Sequence, residues 1–400
     1  MKKIAIICPA ELPVPSIKGG AVETLIDHFL NENEKQKKKA LEIIVYSVYD
    51  VNAERESKKY KNVKFKYFRI NERLKKIYFL YLRLNRKILK RQVADYFLRK
   101  VIKDLNNEEV DKIIIEGNFQ QVIPIKRIKK DTDIYLHIHG DAFFKYNKLL
   151  DKAISRCNKI ITVSEYVKKN GVVNYNNNKS KFVAVKNCID IEKFKKIYNK
   201  NDEKEIRAKY NIKDDEVIIL FCGRIIKEKG VSELIKAFNK YCLKTNAKMI
   251  IVGNAGFGNE VSTDYDKEIR LLAEEAKERI IFTGFIHNKK LPLIYKVADI
   301  SVIPSLCNEA FGLVALEAMA AGIPIIATNT GGIPEVVNDK CARLIENDNN
   351  IIDSLGKELL YLINNREKRI EMGIEGLNKV EEFSLSNYYN NIVQVINSKY

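Results

Sequence analysis

Two glutamates, Glu309 and Glu317, stand eight positions apart in the segment from Pro304 to Pro324, PSLCNEAFGLVALEAMAAGIP. The punctuation there is strong: a buried strand ends before Pro304, a loop carries Glu309, and a helix starts near Gly312. Gly322 stops that helix at its C′ position ahead of Pro324. Glu309 therefore falls beside the helix N-terminus. Glu317 lies about five residues in, some 7 to 8 Å further along the axis at roughly 1.5 Å per residue. Acids so separated cannot share one proton. Their spacing suits a ligand with a phosphate over the helix N-terminus, one polar portion near Glu309 and another near Glu317. Sugar and ribose hydroxyls are suitable partners. Glutamate pairs at this spacing also arise by chance, so the weight comes from the residues around them.

Cations stand at a comparable point earlier in the chain. An apolar run, Val217 to Cys222, ends in Gly223-Arg224, and Lys229-Gly230 precede a helical run from Val231 to Tyr241. A diphosphate needs such a pair, because Arg offers a planar fork to two oxygens and Lys a compact charge. Near the start, Ile4 to Cys8 is followed by a Pro-rich loop that delivers Gly19-Gly20 just before the helical run AVETL. Glycines there let backbone amides approach an anion. His137 and His139 close the run from Ile134, and position at the strand end favours His139 as the functional one. Asp131-Thr132-Asp133 is the spacing of an acidic metal site, but it precedes its strand, whereas sites in open parallel sheets follow their strands.

The elements that hold these residues alternate short apolar runs with helical patterns, which means βαβ units and a parallel sheet. The runs are Ile4 to Cys8, Ile43 to Val48, Ile113 to Ile115, Ile134 to Ile138, Ile160 to Val163 and Phe182 to Val185. After a charged, turn-poor stretch from Ile197 to Asp215, the pattern restarts with Val217 to Cys222, Met249 to Val252, Ile280 to Phe282, Ile300 to Ile303 and Ile323 to Ala327. The fold class is α/β, with two Rossmann-like doubly wound domains and an interdomain cleft at the carboxyl ends of the strands. The expected domains are 1–195, 196–375, and a closing helix over 376–400 that returns to the first. Asn174 to Lys181 reads as a surface loop, and Arg366 to Tyr400 as helical with a weak apolar face.

A chain of 400 residues that is 46% hydrophobic exceeds the size at which one core keeps growing, which agrees with two domains. The opening apolar run is too short for a signal peptide and meets Pro9 at once. No stretch approaches the roughly 18 to 20 apolar residues that span a bilayer. Seven scattered cysteines without a CxxC pair fit a reducing cytoplasm and no disulfide framework, and the four histidines do not complete a zinc spacing. The net charge of +18 is uneven. Lys58 to Lys103 carries 17 Lys and Arg against Glu72 and Asp95. Within it, Leu74-Ile77-Tyr78-Tyr81-Leu84 and Val93-Tyr96-Phe97-Val101 form apolar faces flanked by cations, which suits docking on the anionic inner face of the plasma membrane or packing in the first domain's core. Nucleic acid is disfavoured beside these.

Taken together the residues resemble glycosyltransferase family 4, the retaining enzymes of GT-B fold, and within it the bacterial or archaeal cell-surface polysaccharide glycosyltransferases. The match is densest from Gly223 to Val337. Its most specific part is the Glu-x7-Glu element, followed by Thr330-Gly331-Gly332-Ile333-Pro334-Glu335. The resemblance implies transfer of a sugar from a UDP- or GDP-linked donor to a glycan or lipid-linked acceptor, with no cofactor and no metal. Glu309 would contact the donor sugar, Glu317 the ribose, and Arg224 and Lys229 the diphosphate beside Gly223. Phe311, Gly312 and Leu313 would complete the donor loop. Phe285 and Ile286 resemble the turn that holds the base, Gly19 and Gly20 the loop facing the donor phosphate and acceptor, and His139 the active-site histidine. Where many members have Asn-Gly before an aliphatic residue and Asp, this chain has Asn187-Cys188-Ile189-Asp190. Two readings compete: a nucleotide-sugar epimerase or sugar-phosphate synthase of the same build, and a basic surface-coat or binding protein without catalysis.

Overall fold

A computed structural model of the chain describes residues 2–36, 41–70, 96–195, 200–256 and 263–398. The chain forms two compact units, Met1–Asn187 with Leu385–Tyr400, and Cys188–Ser384.

The first unit is built on seven strands: β1 (Lys3–Ile7), β2 (Glu42–Val48), β3 (Val63–Phe68), β4 (Lys112–Glu116), β5 (Asp133–Ile138), β6 (Lys159–Thr162) and β7 (Phe182–Ala184). Their order is β3-β2-β1-β4-β5-β6-β7, and every recorded pairing is parallel. The central strands are Ile-rich because helices cover both faces, so each side chain is buried whichever way it points. Ile4, Ile43, Ile113 and Ile134 are all fully buried. The strand order reverses between β1 and β4.

Edge strand β3 was not foreseen, since its sequence VKFKYF reads as part of the basic segment. Lys64 and Lys66 alternate with Val63, Phe65 and Tyr67 as a half-covered edge requires. Both lysines are neutralised by acids just past the counted stretch: Lys64 reaches Glu108 at 2.9 Å and Lys66 reaches Asp104 at 2.8 Å. The segment's net charge is thus smaller in the fold than along the chain. Of the two apolar faces expected there, the one with Leu74, Ile77, Tyr78, Tyr81 and Leu84 lies outside the described residues. The other is core: Phe97, Leu98, Val101 and Leu105 of the helix Tyr96–Leu105 are buried. Among the described residues no helix is long and apolar enough to cross a membrane.

The helix Leu385–Asn397 belongs to the first unit. Tyr389 packs its ring, tilted by 35°, at 5.1 Å from that of Phe29 and donates from its hydroxyl to Asn33 Oδ1 at 2.9 Å. Tyr135 donates to the carbonyl of Ile396 at 3.1 Å.

The second unit carries β8 (Val217–Cys222), β9 (Ala247–Val252), β10 (Ile280–Gly284), β11 (Ile300–Ile303), β12 (Ile325–Thr328) and β13 (Ala342–Ile345). Their order is β10-β9-β8-β11-β12-β13, again parallel, with the reversal between β8 and β11. In β13 the sequence ARLI interrupts the apolar run with Arg343 and is buried only at its ends, so it lacks the continuous pattern that marks the other strands. The expected boundaries at 195/196 and 375/376 move to 187/188 and 384/385 for packing reasons. The helix Ile191–Lys195 sets Phe194 against Tyr295 at 5.6 Å, and the helix Arg366–Val380 buries Met372 and Val380, both within the second unit. At the expected tight turn, Asn187 and Cys188 are buried and the Ile189 amide donates to the carbonyl of Phe383 at 3.0 Å. Asn211 is the one non-glycine at positive φ among the described residues, so Cys188 is accommodated without the left-handed backbone that glycine would supply.

Asn33 ties the closing helix to the first unit. It donates to the Leu41 carbonyl at 2.9 Å and accepts from the Leu41 amide at 2.8 Å as well as from Tyr389, all buried. Asn33→Ala strands three buried polar groups at once and should cost about 3 kcal/mol. Hydrogen exchange should rise across 385–397, and unchanged protection there would contradict this docking.

Candidate functional site

In the second unit two of the residues singled out by sequence, Lys229 and Glu309, meet where the strand order reverses, the position at which open parallel sheets bind ligands. Lys229 follows β8 and Glu309 follows β11, and the two form an ion pair. Ser305 donates to the same Glu309 oxygen at 2.5 Å, and the Gly332 amide holds the Glu309 carbonyl at 2.7 Å. The loops meet closely. A Cβ on Gly230 would stand 1.9 Å from the Pro304 carbonyl oxygen, and one on Gly331 would stand 2.1 Å from that of Glu309. Only glycine permits that approach, and both also have positive φ.

The helix expected near Gly312 runs Leu313–Ala320. Its N-cap is Gly312 at φ +119°, no side chain caps it, and its first turn holds no acid. Among the described residues no side chain caps the first amides of this helix, which stand at the positive end of the dipole. Phe311 is buried against Phe383 at 6.0 Å, so at this loop it can offer only backbone. Arg224 is exposed just past β8. Phe285 follows Gly284 at the end of β10 and is 47% exposed, with Ile286 half-buried beside it.

Glu317 is the fifth residue of the helix and has partners of its own. Tyr295 donates to it at 2.8 Å, and Lys193 lies near enough for its charge to act on it. Burial raises the Glu317 carboxyl to about 7, against the Tyr295 hydrogen bond and the Lys193 charge. Glu309 and Glu317 share none of these partners, as their separation along the chain implied. Ser305, Tyr295 and Lys193 were not found from sequence; Tyr295 is an aromatic in a short buried helix, Leu291–Lys296, which reads as core.

In the first unit Gly20 precedes the helix Ala21–Lys35 and has φ +96°. A carboxyl of the protein itself stands at this helix end. Glu23 folds back so far that a Cβ on Gly20 would meet its Oε2 at 2.1 Å. Glu23 is buried, and burial foremost raises its carboxyl to about 7. Gly19 and Gly20 thus border a carboxylic acid. His139 follows β5, with Nε2 at 2.7 Å from Glu116 Oε2, and His137 Nδ1 reaches the same oxygen at 3.1 Å. Glu116 was also missed, although an acid that ends an Ile run just before Gly117 is placed where strand-end sites occur. Ligand atoms of these three residues all lie within 4.8 Å of one another, a set that could hold a metal ion. Asp133 is the first residue of β5, at the end away from His139, and pairs with Lys112 at 3.1 Å.

A carboxyl raised from 4.5 to about 7 binds protons in the folded state that the unfolded chain has released, so its cost appears as pH rises through that window and is full above it. Glu317→Gln should therefore stabilise the second unit by up to roughly 3 kcal/mol at pH 8 and by less than about 1 kcal/mol at pH 5. Urea unfolding at the two pH values checks this, and an equal change at both would contradict it.

Residues 202–379 match the family model described as Glycosyl transferases group 1. Spore coat protein SA of Bacillus subtilis is 26% identical over 380 residues, covering 93% of this chain and 92% of that protein. The lipopolysaccharide 1,2-N-acetylglucosaminetransferase of Salmonella typhimurium is 34% identical over 144 residues, 36% of this chain and 38% of that enzyme. Among solved structures, Anabaena Alr3699/HepE in complex with UDP-glucose is similar with a TM-score of 0.75 at 17% identity, over 100% of both chains; that likeness is one of fold. With the strand-end site in its second Rossmann-like unit, the chain is a glycosyltransferase, a transferase of class EC 2.4.

Proposed function

We propose that this glycosyltransferase is a retaining enzyme of family 4 type that moves a sugar from a UDP- or GDP-linked donor to a glycan or lipid-linked acceptor in cell-surface polysaccharide or glycolipid synthesis. The observation that carries the reading is the uncapped start of the helix Leu313–Ala320, with the Lys229 and Glu309 pair beside it and Glu317 one turn in. The diphosphate would take the helix amides, Arg224 and Lys229, next to Gly223. The sugar would meet Glu309, and the ribose would meet the Glu317 that Tyr295 orients. Phe285, exposed at the edge strand's end with Ile286 beside it, offers a face on which a base can stack. Gly19, Gly20 and His139 belong to the first unit, which we assign to the acceptor. The UDP-glucose held by Alr3699/HepE and the lipopolysaccharide substrate named for the Salmonella enzyme support the donor and acceptor classes.

In this reading the negative charge that develops on the departing diphosphate is met by Arg224, Lys229 and the helix dipole, already oriented before reaction, and no metal is called for. Lys229 must loosen its hold on Glu309 to reach a phosphate, which would free the Glu309 carboxylate for the sugar as the donor arrives.

The test is a panel of nucleotide-sugars, followed by NMR of the product formed from whichever donor raises the unfolding temperature. Transfer with retained anomeric configuration is expected, and an inverted product would remove the retaining mechanism. Arg224→Ala should lower turnover by roughly 10²-fold or more, and unchanged turnover would remove Arg224 from the mechanism. Docking of the basic segment on the inner face of the plasma membrane rests on sequence alone. Failure to float with anionic liposomes even at low salt would eliminate it.

A further inference from the structure

Glu116 closes β4 and pairs in register with His137 of β5. Its single oxygen Oε2 meets two imidazoles, His139 Nε2 at 2.7 Å and His137 Nδ1 at 3.1 Å, whose rings are 4.1 Å apart. Glu116 is 5% exposed and His137 1% exposed. Burial works against the Glu116 charge, but attraction and hydrogen bonds from His137 and then His139 outweigh it and hold the carboxyl well below its usual range. The other titratable groups that feel this charge are the Cys8 thiol at the end of β1 and the Glu23 carboxyl, with Glu11 and Asp27 beyond it.

A carboxylate only accepts hydrogen bonds. His139 Nε2 and His137 Nδ1 must therefore both carry hydrogens, and in the neutral rings the remaining nitrogens are acceptors. These remaining atoms, His139 Nδ1 and His137 Nε2, are enclosed and have no partner among the described residues. An enclosed acceptor left without a donor costs about 1–3 kcal/mol, a cost that a ligand able to donate would remove. With the Glu116 carboxylate and the Glu23 carboxyl nearby, that ligand is a neutral hydroxyl rather than an anion.

We propose that Glu116 is a positioning residue for the transfer reaction: it fixes His139 as the tautomer protonated on Nε2, so that Nδ1 accepts a hydrogen bond from a hydroxyl of the bound sugar substrate. His137 steadies the same Glu116 oxygen. The proposal rests on the assignment of His139 to the reaction made above, and it adds the residue that dictates which hydrogen bond His139 can form.

Nitrogen-15 NMR of the imidazoles in the full-length protein reads the tautomers directly and needs no variant. His139 protonated on Nε2 is expected. Protonation on Nδ1, or one equivalent of a divalent metal that survives dialysis and is lost in Glu116→Gln, would overturn the proposal. In kinetics, Glu116→Gln should lower kcat by 10-fold or more while the donor KM changes less than about 3-fold. The double variant with His139→Ala should be no slower than His139→Ala alone. A fully active His139→Ala enzyme would defeat the His139 assignment itself. An inactive His139→Ala enzyme beside a fully active Glu116→Gln enzyme would defeat only the role of Glu116.

Discussion

Lys229 and Glu309 are drawn together across the one place in the second sheet where neighbouring strands send their chains in opposite directions. The pair can form only because the loops after β8 and β11 come into backbone contact, with Gly230 against the Pro304 carbonyl and Gly331 against that of Glu309. Any side chain at either glycine would hold the loops apart. The same closeness fixes Ser305 on Glu309 and leaves the start of the helix Leu313–Ala320 uncapped beside a lysine. Cation, dipole and carboxylate are then in place before a donor arrives, which is the preorganisation that charge-stabilising catalysis depends on.

The two units use one architecture for different chemistry. Each has its strand-order reversal, a glycine ahead of a helix, and acids at strand ends. In the second unit the helix N-terminus is open and cations stand nearby, so a phosphate is welcome. In the first, Glu23 already occupies the helix end, and Glu116 with its two histidines lines the neighbouring strand ends. That environment disfavours anions and favours hydroxyls. The proposed division between a unit that takes a nucleotide diphosphate and one that takes a polyhydroxylated group rests on which charges sit at equivalent positions.

Much of this was legible in the sequence. Eleven of the thirteen strands lie within a residue or two of the apolar runs that announce them, as Val217–Cys222 and Ile300–Ile303 do, because a strand buried on both faces must be apolar throughout. The helix limits at Gly312 and Gly322 followed from backbone chemistry. Two edge strands escaped: β3 alternates with lysine and β13 carries Arg343 within its four residues, so neither carries a continuous apolar signal. The residues that support the site escaped as well. Tyr295, Lys193, Ser305 and Glu116 matter through partners far away in sequence, and nothing local separates a tyrosine that orients a glutamate from one that fills a core. The basic segment misled in the other direction, since Lys64 and Lys66 find acids that sequence order places outside it.

The central claim is that the donor's diphosphate lies over the start of the helix Leu313–Ala320 with its ribose on Glu317. A crystal structure of the full chain with its nucleotide-sugar bound tests it most directly. The account predicts phosphate oxygens within hydrogen-bond distance of the Leu313 or Val314 amide and of Lys229, with both ribose hydroxyls on Glu317. A nucleotide seated instead at the Gly20 helix end of the first unit, or one whose ribose leaves Glu317 on Tyr295 alone, would contradict it.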